Sequence, residues 1–292
     1  MKNKITCLLA GIALFGATAN ADIVLADGLT AYGYIDITAQ DLEGEDRTSD
    51  LSEYELGLSY TPAESQWSAV AELSYTGGGD SAFETVTVTY QYSDALSFTA
   101  GNILSYQGLE SFDAPNNNFI SYAGAPTVAN GVLYSAGYAE GVSADYSAGD
   151  ITLGVWADVT AETSYEYYAA YSGIENLTLS VAIADNFDDS ETTNIMAQYD
   201  LGDFALSFEN VDSDGFATDL DVDVFAVAYG MGDTTVAVRL TDGEIGGNDY
   251  EKTSIAAFHA LSDNVAAGIE YSDGELGAVE SKGFGVELLY VF

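Results

Sequence analysis

From Ile23 to the C-terminus, apolar and polar residues alternate with a period of two. The runs are roughly eight to eleven residues long, the length of a tilted strand that crosses a bilayer. In the stretch 53–61, Tyr54, Leu56, Leu58 and Tyr60 share one face and Glu55, Gly57 and Ser59 the other. Similar runs occupy 29–38, 67–75, 83–90, 96–102, 140–147, 151–159, 165–171, 177–184, 193–199, 204–211, 222–229, 235–241, 250–260, 265–271 and 283–292. The pattern predicts an all-β fold, an antiparallel up-and-down barrel of about sixteen strands, with tight turns alternating with longer acidic loops.

The rhythm breaks once, between 103 and 132. A loop that long inside a compact domain is usually functional or disordered. This one carries Phe112, Phe119, Ile120 and Tyr122, too much apolar surface for a disordered linker. The expectation is a third external loop, spanning 103–138 with the less regular segment after it, folded back into a hollow interior.

Alternation fits a soluble β-sandwich or solenoid as well as a membrane barrel, and size separates them. Sixteen strands enclose more volume than side chains can fill. The second face is Ser, Thr, Gly, Glu and Asp, so it is wet, and the apolar face meets lipid. That assigns Asp36, Glu55, Glu72, Asp145, Asp158, Glu166, Glu209, Arg239, Glu270 and Glu287 to the pore lining. The facing of 222–229 and 250–260 stays open, because both of their faces contain apolar residues.

Residues 1–21 read as a secretory signal: Lys2 and Lys4, an apolar core, and Ala19-Asn20-Ala21 as a small-x-small cleavage site. The barrel is then 22–292. The single cysteine, Cys7, goes with the signal, so disulfides do not hold the fold. The remaining basic residues, Arg47, Arg239, Lys252 and Lys282, face 47 acids. This excludes nucleic acid as a partner. Hydrophobic residues at 48%, with 21 tyrosines, exclude a disordered chain. No GxSxG, HExxH or phosphate-loop pattern is present, and the single histidine, His259, has no catalytic company. An enzyme is not expected.

A narrow conduit lined by one sign of charge concentrates counter-ions. The expected function is a water-filled, cation-preferring membrane pore for ions and small hydrophilic solutes. Glu110 and Asp113 stand near the constriction, against a wall that is itself acidic, while Phe112, Phe119 and Tyr122 anchor the loop. The alternative is a substrate-specific channel, or a structural or adhesive barrel. Loop carboxylates such as Asp212, Asp214, Asp219 and Asp221 offer oxygen ligands to Ca2+ or Mg2+ and so a bridge to lipopolysaccharide, although none matches the twelve-residue calcium loop. No other cofactor is expected.

The chain's end, Leu288-Leu-Tyr-Val-Phe292, resembles the C-terminal signature of bacterial outer-membrane barrels, with Leu288, Tyr290 and Phe292 on one face. That resemblance implies recognition by the barrel-assembly machinery. The start, Leu29-Thr-Ala-Tyr-Gly-Tyr-Ile-Asp36, resembles the first strand of Gram-negative general porins. The run Gly108-Leu-Glu-Ser-Phe-Asp-Ala-Pro-Asn116 is similar to the loop region of OmpL-like β-barrel porins. The porin resemblance implies outer-membrane lipid as surroundings, a homotrimer, and a third loop that narrows the pore. The sequence departs from general porins in lacking the arginine cluster that faces the loop in that family.

Overall fold

The computed structural model describes residues 23–42, 48–75, 81–110, 113–124, 133, 137–159, 164–185, 190–214 and 219–292. The signal segment 1–21, Phe112, and most of the loops at 41–46 and 185–191 therefore lie outside the described residues. The strands are β1 (Ile23–Ala26), β2 (Leu29–Leu42), β3 (Thr48–Tyr60), β4 (Trp67–Tyr75), β5 (Ser81–Gln91) and β6 (Leu96–Leu104). After the long loop come β7 (Tyr138–Ala148), β8 (Ile151–Asp158), β9 (Tyr165–Ile174), β10 (Leu177–Asp185), β11 (Glu191–Leu201) and β12 (Phe204–Asp214). The chain finishes with β13 (Leu220–Met231), β14 (Thr234–Ile245), β15 (Asn248–Ser262), β16 (Val265–Leu276) and β17 (Val279–Val291).

Strands β2 to β17 pair antiparallel in chain order, and β17 returns to β2, so the sheet closes and leaves no edge. These are the sixteen runs of the sequence. The extra strand β1 pairs with residues 29–31 of β2, while β17 takes residues 34–42. β1 thus continues the line of β17 along one side of β2. Gly33 and Phe292 exchange backbone hydrogen bonds of 2.8 and 2.9 Å at this seam. A Cβ on Gly33 would lie 2.1 Å from the Glu55 carbonyl oxygen, so the seam requires glycine. Phe292 also stacks on Tyr290, with ring centroids 5.9 Å apart.

The outward face is apolar over the middle of each strand: Leu56, Leu58, Val86, Val88, Leu153, Val155, Ile195, Phe225, Ile255 and Ile269 are all exposed. Aromatic pairs bracket it. Trp67–Tyr90 (tilted) and Phe204–Tyr229 (stacked) pair near the tight turns, and Tyr54–Tyr75 stack near the opposite rim. Such girdles mark the two interfaces of a membrane barrel. His259 shares the outward face with Ile255, and its Nδ1 is 2.9 Å from Thr234 Oγ1.

Acids expected in loops lie on strands instead, Asp212 and Asp214 on β12 and Asp221 on β13, and most of the gaps 242–249 and 272–282 between the expected runs belong to β14 to β17. Both 242–249 and 272–282 close in tight turns, at Gly246-Gly247 (φ 60° and 72°) and at Gly277 (φ 60°). Glycine pays no steric penalty for that left-handed backbone. The acids then fall on alternate, outward positions of long hairpins and stand opposite one another: Asp212 to Asp221, Asp221 to Glu244, Asp223 to Asp242, Asp242 to Glu251, Glu251 to Glu275 and Glu275 to Glu280.

Candidate functional site

The loop after β6 leaves the rim and lies against the inner wall. Its first turn is held by β9: Ser105 Oγ donates to Glu166 at 2.7 Å and the Tyr106 amide to the same carboxylate at 2.8 Å. The Tyr106 hydroxyl donates to Asp145 at 2.5 Å, and its ring stacks on Tyr168. Farther in, the Gly108 amide donates to Asn194 Oδ1 (2.8 Å) and the Leu109 amide to Glu209 (3.2 Å). The returning limb is held by β16, where Glu270 accepts the amides of Ile120 (2.5 Å) and Ser121 (2.9 Å) and the Ser121 hydroxyl. Glu166, Glu209 and Glu270, expected to line the pore, are instead covered by the loop. Each carboxylate meets loop N–H groups, a charge-assisted arrangement stronger than a neutral hydrogen bond.

Glu110 does not face an acidic wall. It is ion-paired and hydrogen-bonded with Arg239 of β14 and accepts the Ala123 amide at 2.8 Å. The Arg239 guanidinium also donates to the Ser121 carbonyl (2.8 Å) and sits 4.4 Å above the Phe119 ring. Lys252 of β15 donates to the Tyr122 carbonyl at 2.6 Å, and the Tyr250 hydroxyl to the carbonyls of Ala123 and Gly124. Burial pushes the Glu110 carboxyl above its ordinary range, against the opposing pull of Arg239, the Ala123 amide and Lys252. Burial likewise raises the Tyr122 phenol, reinforced by the carboxyls of Glu53, Glu110, Asp113 and Glu84.

Beneath the loop the barrel is dry. Ala123 and Leu133 pack with Val211, Val222, Val224 and Tyr250, while Phe119 and Ile120 pack on Ala256 and Phe258. Burying a valine or phenylalanine contributes about 1.5–3 kcal/mol each. The wall residues at 222, 224, 256 and 258 are therefore both inward and apolar, which accounts for the ambiguous faces of those two strands. A cavity of about 60 Å³ remains beside this core, lined in part by Asn116, Asn117, Asn118, Phe119, Gln198 and Arg239.

Acids also gather on the wall of β2 to β5. Glu72 accepts from the Tyr32 hydroxyl at 2.5 Å, and Asp36 lies near Glu287 across the seam. Asp113, at the loop tip, reaches this wall: its carboxyl, Glu55 and Glu84 each have an oxygen within 4.8 Å of the others. Asp158 sits at the rim end of β8, its amide bonded to the Ser164 carbonyl. Outside, Asn210 bridges Asp221 (3.1 Å) and Asp223 (3.0 Å), and the Asp219 carbonyl accepts the Gly246 amide at 2.7 Å.

Sequence reasoning missed Glu84 because of a β-bulge. Ala71 pairs with Val86 but Leu73 with Phe83, so two residues oppose Glu72 and the parity of Glu84 is reversed. Glu53 was legible, since it shares parity with Glu55. Lys252 and Tyr250 were hidden in the strand whose facing stayed open.

Comparison with known proteins agrees with this geometry. A family model described as Gram-negative porin matches residues 8–277. No curated protein matches. Among solved structures, the barrel is similar to an anion-selective porin from Comamonas acidovorans (15% identity, TM-score 0.69, covering 90% of this chain and 99% of that one). It is also similar to a mutant of the Rh. blastica porin (17%, 0.66, 90% and 100%) and to the outer-membrane protein OmpT of Vibrio cholerae (13%, 0.67, 92% and 100%). The chain belongs to the Gram-negative porin family and is a channel protein of the outer membrane, not an enzyme.

Proposed function

We propose that this porin is a water-filled channel that prefers cations and passes ions and small hydrophilic solutes by passive diffusion. The observation that carries this reading is a division of charge. Among the described residues, the two inward-facing cations, Arg239 and Lys252, are both bonded to the loop, and Lys282 lies on the outward face beside Asp273 (3.6 Å). The acids at Glu53, Glu55, Glu72, Glu84 and Asp113 sit together on the opposite wall and at the loop tip. Carboxylates in a low-dielectric conduit raise the local cation concentration. A homotrimer in lipopolysaccharide-containing membrane, delivered by a cleaved signal and the barrel-assembly machinery, completes the proposal.

Uptake into proteoliposomes of size-matched cationic, neutral and anionic solutes tests it. Uptake in the order cation, neutral, anion is expected; fastest uptake of the anion overturns the reading. A second reading, a substrate-selective channel, draws on the asparagine-lined cavity beside Phe119. Saturable uptake abolished by Asn118→Ala would favour it.

A further inference from the structure

The carboxylates at the loop tip come from three separate elements: Glu55 from β3, Glu84 from the bulge in β5 and Asp113 from the loop. Their oxygens lie within 4.8 Å of one another. Three ionised carboxylates this close repel one another strongly unless a cation or a proton intervenes.

The surrounding groups favour a cation. Tyr34 is 4% exposed and Ser74 2% exposed, and neither Tyr34 Oη nor Ser74 Oγ has an aligned hydrogen-bond partner. Glu84 Oε2 is likewise shut off from solvent with no donor. The Tyr34 hydroxyl faces the carboxyls of Asp113, Glu53 and Glu55, while Ser74 stands directly opposite Glu55 and faces Glu84. Buried polar atoms are normally satisfied, so these poorly partnered oxygens beside the carboxylate cluster call for a ligand that takes oxygen donors.

We propose that Glu55, Glu84 and Asp113, with the hydroxyls of Tyr34 and Ser74, hold a Ca2+ ion that ties the tip of the third loop to the β3–β5 wall. An all-protein oxygen cage suits Ca2+, which takes six to eight ligands in flexible geometry, better than Mg2+, which keeps several waters and demands a near-ideal octahedron. Bound Ca2+ removes two negative charges from the acidic side of the bore and so weakens its cation preference. The site rests on the loop's fold, and only this last consequence rests on the proposed selectivity.

The test uses the full-length mature barrel in detergent, freed of metal by chelator. Tb3+ luminescence excited through tyrosine is followed while Ca2+ or Mg2+ displaces the probe. Ca2+ displacement with half-saturation at about 0.1–1 mM, the range of extracellular modules, is expected, with Mg2+ at least tenfold weaker. Asp113→Asn should weaken Ca2+ at least tenfold, and Tyr34→Phe, which keeps every carboxylate, severalfold. Asp203→Asn, exposed in the tight turn between β11 and β12, should change nothing. Identical Ca2+ affinity in the parent, Asp113→Asn and Tyr34→Phe proteins, each confirmed as folded by its heat-dependent gel mobility, would overturn the proposal. The KCl reversal potential measured in chelator addresses selectivity alone, so the two readings can fail separately.

Discussion

Arg239 and Glu110 meet inside the barrel across 129 residues of chain, one on strand β14 and the other near the start of the third loop. The contact decides where the loop lies. The same guanidinium holds the Ser121 carbonyl and stacks on Phe119, so a single side chain joins the outgoing and returning limbs.

Removing Arg239 should therefore free the loop while leaving the barrel intact. Breaking a buried pair by deleting one partner costs about 3–5 kcal/mol, because the other charge is stranded. Arg239→Gln is expected to expose the segment 105–124 to protease and to make single-channel current noisier. Unchanged loop protection would show that the apolar contacts suffice.

Tyr250→Phe tests the far end of the same seat. It strips the donor from two carbonyls, at Ala123 and Gly124, in a fully buried position. A loss of about 1–3 kcal/mol in loop seating is expected. Hydrogen exchange at 123–124 should rise, while exchange in the barrel strands stays as in the parent.

How much of this was legible without coordinates follows from the physics of each feature. The sixteen runs correspond one for one with β2 to β17, because alternation at period two is imposed wherever one face meets lipid and the other water. β1, four residues long, has no period to detect. Val222 and Val224 point inward because the loop makes that part of the lumen dry, and no single-strand pattern reveals a cover that arrives from 100 residues away. Glu84 escaped because a bulge reverses parity, and the charge balance of Glu110 escaped because its partner is distant in sequence. The hairpins at Gly246-Gly247 and Gly277 lie outside the alternating runs because their outward faces, beyond the lipid, are acidic and not apolar.

Acid should tighten the loop's seat and not loosen it. Burial holds the Glu110 carboxyl above its ordinary value, so the folded chain binds its proton more readily than the unfolded chain. The associated stability is fully present below the ordinary value near pH 4.3, and it is lost as pH rises through the raised one. Protease protection of 105–124 should thus increase between neutrality and about pH 4. Glu110→Gln should flatten the response. Loosening on acidification in the parent alone would contradict this.

The seam makes a separate prediction. Gly33→Ala would push a methyl group into the Glu55 carbonyl beside Phe292. Folded yield, read as heat-modifiable mobility on gels, should fall severely, whereas Gly149→Ala, at a turn with open space, should cost about 1 kcal/mol or slightly more. Equal yields would mean that the seam relaxes.

On the outward face, Leu58→Arg should destabilise the barrel in lipid by about 2–4 kcal/mol, the cost of a guanidinium near the bilayer midplane. Denaturant unfolding in vesicles reads this directly, and a change near zero would place position 58 away from lipid.

The central claim is that carboxylates face a passage in which Arg239 and Lys252 are occupied by the loop. The reversal potential of the purified channel in a planar bilayer, under a KCl gradient with chelator present, measures it most directly. Potassium should carry most of the current, with the preference shrinking as ionic strength rises. A reversal potential of the sign set by chloride would contradict the account.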